Sequence, residues 1–199
     1  MKLITWLLAL LLLVVMAVGG IIWSGGYNIA ADEPHWPLTE DLVETLRDRS
    51  IAARQSGADM PDLDDESLIR AGAGNYDAMC DGCHLEPGED STELSMGLYP
   101  APPDLTMEHI EDPAEAFWVI KHGIKMTGMP AWGKSMDDAS IWGMVAFIRK
   151  LPEMSEAGYH ELVVSSEGHT HGQADANDAR EESATVHVHA DGSEHVHED

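Results

Sequence analysis

The chain has 199 residues and a formal net charge of -25, with 36 acidic and only 11 basic side chains. This length suits one ordinary domain with additional segments at its ends. Phosphate backbones repel a chain of this charge, so nucleic acid is excluded as a partner, and proteins that dock on it electrostatically are expected to carry basic patches.

The chain begins with an apolar run from Leu3 to Trp23. At about 1.5 Å per residue, a helix of this length crosses a hydrocarbon core of about 30 Å. A cleavable signal peptide is the alternative, but its apolar region is usually only about 7 to 15 residues long. Lys2 precedes the run and two acidic residues follow it, which favours a cytoplasmic N-terminus. Residues 1–31 are therefore predicted to hold an uncleaved, single-pass anchor in the cytoplasmic (inner) membrane, with the following domain on the outer, periplasmic side.

Residues 32–63 are predicted to link this anchor to a domain. Thr39 can cap a helix whose apolar stripe contains Leu42, Val43 and Leu46. Two interpretations remain open for this amphipathic arm: it is a solvated spacer, or it is a helix packed on the domain.

Residues 64–160 are predicted to form one compact, all-α domain. Helical patterns cover the segments DESLIRAGAGNYDAMC, DPAEAFWVIKHGI and DDASIWGMVAFIRKLP, and the proline-rich loop GLYPAPPDLT separates the first two. No alternating strand pattern occurs in this region. A domain this small and rich in loops has a poor core unless a large apolar group fills its centre.

The only two cysteines, Cys80 and Cys83, are followed directly by His84. A zinc site needs about four ligands, and the domain has no second closely spaced pair. A thioredoxin-like pair would follow a strand, and a disulfide here would close too small a loop to add much stability. C-x-x-C-H in an exported helical chain is instead typical of covalent haem c attachment. Both thiols would then form thioethers, and the imidazole would be the proximal iron ligand.

The segment IKMTGMPAWG is predicted to supply the second axial ligand of the iron. Met129 precedes a proline, and a thioether in a proline-stiffened loop suits a low-spin electron carrier. The less favoured alternatives are Met126, Lys125, His122 and His109. Other methionines are interpreted as packing or surface residues.

From Leu68 to Pro152 the sequence resembles the class I cytochromes c, and in particular short, membrane-anchored bacterial monohaem cytochromes. The resemblance lies in GNYDAMCDGCH, where Gly72 and Tyr76 precede Cys80 at intervals of four, and in GLYPAPPDL and FWVIKHGIKMTGMPAWG. It implies the all-α class I cytochrome c fold, in which the C-terminal helix crosses the first helix at the small residue. The residues offered for this crossing are Met144 and Phe147.

The resemblance also implies that a proline carbonyl in the next loop bonds the free ring nitrogen of His84 and orients the imidazole. Of Pro100, Pro102 and Pro103, we favour Pro102 for this role. Leu85 is a departure, because many relatives have glycine there, and it bears on the shape of the loop.

Residues 161–199 are predicted to form an acidic tail that is disordered without a ligand. Alternate residues of a strand share a face, and Asp-Gly favours a turn, so a hairpin in VHVHADGSEHVHED can group four imidazoles. A two-residue Asp-Gly loop would put the two histidine pairs on opposite faces, whereas the register expected for a three- or five-residue loop places His189 opposite His195 and His187 opposite His197 on one face. Such a set suits zinc, copper(II) or nickel, and a solvated tail without metal is the open alternative.

The sequence thus predicts a membrane-tethered, one-electron carrier with one covalent haem c and no catalytic residues. Its partners would be respiratory or periplasmic redox proteins. Two other classes stay open: a subunit of a haem enzyme of the peroxidase or reductase type, and a metal-binding or sensing protein that uses the tail.

Overall fold

A computed structural model describes residues 2–56, 59–170, 187–188 and 194–195. The chain separates into two compact units, residues 1–44 and residues 45–199. The helices are α1 (Lys2–Ser24), α2 (Pro37–Ala52), α3 (Glu66–Met79), α4 (Asp81–His84), α5 (Glu93–Gly97), α6 (Pro113–His122), α7 (Asp138–Ile148) and α8 (Glu156–Ser165), and two short strands are β1 (His187–Val188) and β2 (Glu194–His195). From residue 59 to residue 170 the described chain is all-α, as predicted.

Helix α1 is a continuous apolar helix of 23 residues with no buried side chain. It is long and apolar enough to cross a membrane. A signal sequence near an N-terminus meets the same criteria of length and apolar composition.

The end of α2 is packed rather than solvated. Ile51 is only 6% exposed, and the Nε2 of Gln55, just after the helix, donates to Oδ2 of Asp112 at 2.7 Å. The predicted apolar stripe is not the buried face, because Leu42 and Leu46 remain 66% and 68% exposed. For residues 45–56 the packed-helix interpretation is therefore the one that the structure supports.

Helices α3 and α7 cross where the family resemblance implies. A Cβ atom on Gly72 would lie 2.0 Å from the carbonyl oxygen of Gly143, so the two backbones are in direct contact. Met144 and Phe147 are fully buried beside the crossing, and the ring of Phe147 lies 5.2 Å from that of Tyr76. The residue opposite Gly72 is thus a second glycine, Gly143, which the sequence pattern did not predict.

Helix α8 was not predicted as a separate element. Tyr159 on α8 is fully buried, and its hydroxyl donates to Oδ1 of Asp77 on α3 at 3.1 Å. After the helix, the backbone N–H of Thr170 donates to the side-chain oxygen of buried Asn75 at 2.8 Å. Packing on α3 therefore continues to Thr170, ten residues beyond the predicted end of the domain at residue 160.

Strands β1 and β2 pair antiparallel, with His187 opposite His195 and Val188 opposite Glu194. The predicted register was therefore wrong by two residues, a shift that leaves each residue on the same face of the pair. His189 and His197 lie outside the described residues.

Candidate cofactor site

The end of α3 and the single turn of α4 hold the two cysteines and the histidine. The N–H of Cys80 donates to the carbonyl of Tyr76 at 2.8 Å, and the N–H of His84 donates to the carbonyl of Cys80 at 2.8 Å. Helical backbone thus presents three side chains within one turn. Cys80 and Cys83 are both half-buried free thiols.

The imidazole of His84 is oriented by a proline carbonyl, as the resemblance implied. Its Nδ1 donates to the carbonyl oxygen of Pro103 at 2.9 Å, which leaves Nε2 unprotonated and able to bind a metal. The predicted acceptor was Pro102, and the structure corrects it by one residue. Pro102 lines the adjacent cavity instead. Sequence could not separate neighbouring prolines, because the direction of a carbonyl depends on the backbone angles of the loop.

Burial affects the protonation of this histidine and of the first cysteine. It lowers the pKa of His84, although the bond to Pro103 and the charge of Glu108 oppose this effect. The neutral imidazole, which is the form that binds metals, is therefore favoured. Burial also raises the pKa of the Cys80 thiol to about 12, with contributions from Asp81 and Cys83.

A cavity of about 510 Å³ adjoins these residues, which is a typical volume for a cofactor pocket. Its wall includes Cys80, Cys83, His84, Met129, Ile120 and Trp132. The residues thus combine two thiols, an imidazole and a thioether with an apolar surface. This set fits a covalently bound haem, which needs attachment points, axial ligands and apolar walls.

The loop after α6 places Met129, and not Met126, at the cavity. The N–H of Met129 donates to Oγ1 of Thr127 at 3.1 Å, and its carbonyl accepts from the N–H of Ile124 at 3.2 Å. Gly123 has a φ of 63°, and a Cβ atom there would lie 2.6 Å from the backbone of Pro130. Met126, in contrast, is 99% exposed. Of the alternative ligands, His109 lines the cavity, whereas Lys125 and His122 are absent from its wall.

Comparison with known families agrees with this geometry. Residues 67–148 match the family model described as cytochrome c oxidase, cbb3-type, subunit III. This region is a c-type cytochrome domain. The match covers fewer than half of the 199 residues, and no curated protein and no solved structure matches the chain.

The family match confirms the prediction of a c-type cytochrome. The helices of this region confirm the predicted all-α fold. Such a domain carries covalently bound haem c and serves electron transfer between redox partners. Among the described residues, no group of three or more His, Cys, Asp or Glu side chains is arranged to hold a metal ion directly.

Arg47 is a cavity residue that the sequence reading missed. It comes from α2, outside the region that matches the family, and lines the wall of the cytochrome domain's cavity. No local motif marks it, because its relation to the site depends on how the arm packs.

Proposed function

We propose that the chain is a membrane-tethered, one-electron carrier with a single haem c, whose axial ligands are His84 and Met129. One observation carries the proposal. His84, oriented by the carbonyl of Pro103, lines one cavity together with Met129 and both cysteines.

The bound haem would supply reversible one-electron chemistry at its iron. Cys80 and Cys83 would hold it through thioethers, and Nε2 of His84 would bind its iron. The thioether of Met129 would be the second iron ligand, which would favour the ferrous state and leave no open site for a substrate. The apolar wall around Ile120 and Trp132 would exclude water.

The length and apolar composition of α1 support a membrane tether. Lys2 before the apolar run of α1 and the acidic residues after it favour the cytoplasmic membrane, with the cytochrome domain on the periplasmic side. A tether keeps the carrier at a high local concentration near membrane-bound partners. The charge of -25 favours partners whose docking surfaces are basic.

A second candidate function is a haem-bearing subunit of an oxidase complex. The family description, which names a subunit of a cbb3-type oxidase, favours it. Purification from detergent-solubilised membranes separates the two functions: a subunit stays in a stable complex, whereas a carrier is recovered alone and is reduced or oxidised by added complexes.

His109 favours a further alternative, a haem enzyme. His109 lines the cavity and is the residue that would serve a haem enzyme, in which Met129 is not an iron ligand. Stable six-coordinate iron without peroxide turnover would reject that enzyme.

Spectra of single variants test the ligand assignment. We expect Met129→Ala to keep its covalent haem but to become partly high-spin and to lose the methionine-to-iron band, the visible absorption band that a methionine ligand gives ferric haem. Its reduction potential should be lower, because a ligand that favours ferrous iron is gone. Met126→Ala is the matched control and should retain the wild-type spectrum, since that side chain is exposed. His84→Ala should not accumulate as stable holoprotein. An unchanged Met129→Ala spectrum with a changed Met126→Ala spectrum would reject the assignment.

A further inference from the structure

The end of α2 is fixed to the cytochrome domain beside the start of α6. Gln55 donates to Oδ2 of Asp112 at 2.7 Å, while Oδ1 of the same carboxylate caps α6 by accepting from the N–H of Ala114. Ile51, one turn before Gln55, is buried. Because Asp112 also lines the cofactor cavity, these contacts hold the last turns of α2 at its wall.

Arg47 lies one turn before Ile51 and lines the same cavity. Its side chain is 35% exposed, and its Nε donates to Oδ1 of Asp48 at 2.8 Å. The Asp48 side chain is 63% exposed, and a pair this open to solvent is weak. The ion pair with Asp48 is therefore too weak to hold the guanidinium away from the cavity.

The other charged groups at the cavity are mostly acidic. The acidic residues in its wall are Glu108, Glu111, Asp112 and Glu115. Arg47 is the only arginine or lysine among the described residues of that wall. A haem adds two propionate carboxylates, which are costly to bury beside other acidic groups unless a cation pairs with them. The planar guanidinium of arginine suits this role because it can bind a carboxylate through two hydrogen bonds.

We propose that Arg47 binds a propionate carboxylate of the haem and thereby raises the reduction potential of the iron. The inference rests on the proposed haem function. Ferrous haem carries one positive charge less than ferric haem, so a nearby cation stabilises the ferrous state. The arm that follows α1 in the chain would thus supply a haem-binding residue that lies outside the family's matched region.

The test measures the midpoint potential of the full-length, haem-loaded protein in detergent. The visible spectrum monitors the ratio of ferrous to ferric haem. At a fixed ambient potential, Arg47→Gln should lower the ferrous-to-ferric ratio about threefold or more, because a positive charge near the iron is lost. Arg47→Met should give the same decrease and keeps the packing of the side-chain stem. Arg47→Lys should restore most of the ratio. Arg49→Gln removes an exposed charge from the same helix and should leave the ratio unchanged.

Two results would overturn the inference. In the first, the midpoint potential of Arg47→Gln or of Arg47→Met equals that of Arg49→Gln. In the second, the midpoint potential of Arg47→Lys falls as far as those of the neutral variants, which would indicate that side-chain shape matters and not charge. Failure of the proposed function is a separate result, since it appears in the wild-type protein as the lack of a methionine-to-iron band. An intact band with an unmoved potential rejects the role of Arg47 alone.

Discussion

At the scale of single residues, Leu85 combines a buried side chain with a strained backbone. Its φ is 69° and its ψ is 159°, a region in which essentially only glycine is stable. The side chain is nevertheless only 5% exposed, and its carbonyl accepts from the hydroxyl of Tyr76 at 2.7 Å. The departure from glycine noted in the sequence therefore alters the side chain but retains a glycine-like backbone.

The strained backbone at Leu85 predicts that a glycine variant is more stable than an alanine variant, the reverse of the usual order. Leu85→Ala loses the buried side chain and keeps the strain, whereas Leu85→Gly loses the side chain and relieves the strain. We expect the glycine variant to be the more stable of the two by about 1 kcal/mol, although glycine is usually the less stable residue. Chemical unfolding of both holoproteins measures the difference. An alanine variant at least as stable as the glycine variant would contradict the strained conformation.

At the scale of elements, the crossing of α3 and α7 depends on the lack of a side chain at Gly72. A methyl group there would meet the backbone of Gly143, which cannot rotate away as a side chain can. Gly72→Ala should therefore separate the helices and lower the free energy of unfolding by about 3 kcal/mol. Denaturant unfolding of the holoprotein measures this loss.

Two glycines provide graded controls for that prediction. Gly143→Ala should cost less, because the new methyl would lie 3.2 Å from the carbonyl oxygen of Leu68. Gly97→Ala on α5 should be almost neutral, since no atom lies within 4 Å of the new methyl. Equal stability of the Gly72 and Gly97 variants would contradict close contact at the crossing.

Sequence periodicity predicts some helices of the structure and misses others. The patterns for α3, α6 and α7 are long enough to be read, and their caps, such as Asp65 and Asp112, are ordinary acidic caps. Helix α8 has little apolar asymmetry and is fixed by Tyr159, whose partner on α3 is distant in sequence. Pro103 and Arg47 likewise owe their places to loop geometry and arm packing, which short-range patterns do not encode.

At the scale of the whole chain, the region that matches the family model is separate from the segments proposed for the membrane tether and for metal binding. The matched region, 67–148, contains the cysteines and both proposed axial ligands. Helices α1, α2 and α8 and the histidine-rich tail all lie outside it. The matched region thus supports electron transfer, whereas the proposed tether, the proposed role of Arg47 and the proposed metal site depend on segments that the family model does not cover.

The last prediction concerns metal binding by the histidine-rich tail. The pairing of β1 with β2 places residues 187 and 195 directly opposite each other, and alternate positions of paired strands share a face. If His187, His189, His195 and His197 act together, the full-length protein should take up zinc, copper(II) or nickel with micromolar or tighter affinity at pH 7.5. Uptake should weaken towards pH 5, because protons compete for the imidazoles. Calorimetric titration measures both effects.

Matched variants make this last test specific. Replacing these four histidines with alanine should abolish the uptake. A control variant with alanine at His35, His109, His122 and His160 removes the same number of imidazoles outside the tail and should retain it. Wild-type protein without such affinity for any of the three metals, or a tail variant that still binds, would exclude the tail site. That result would leave the proposed electron-transfer function in place, because the residues proposed to hold the haem all lie within 80–129.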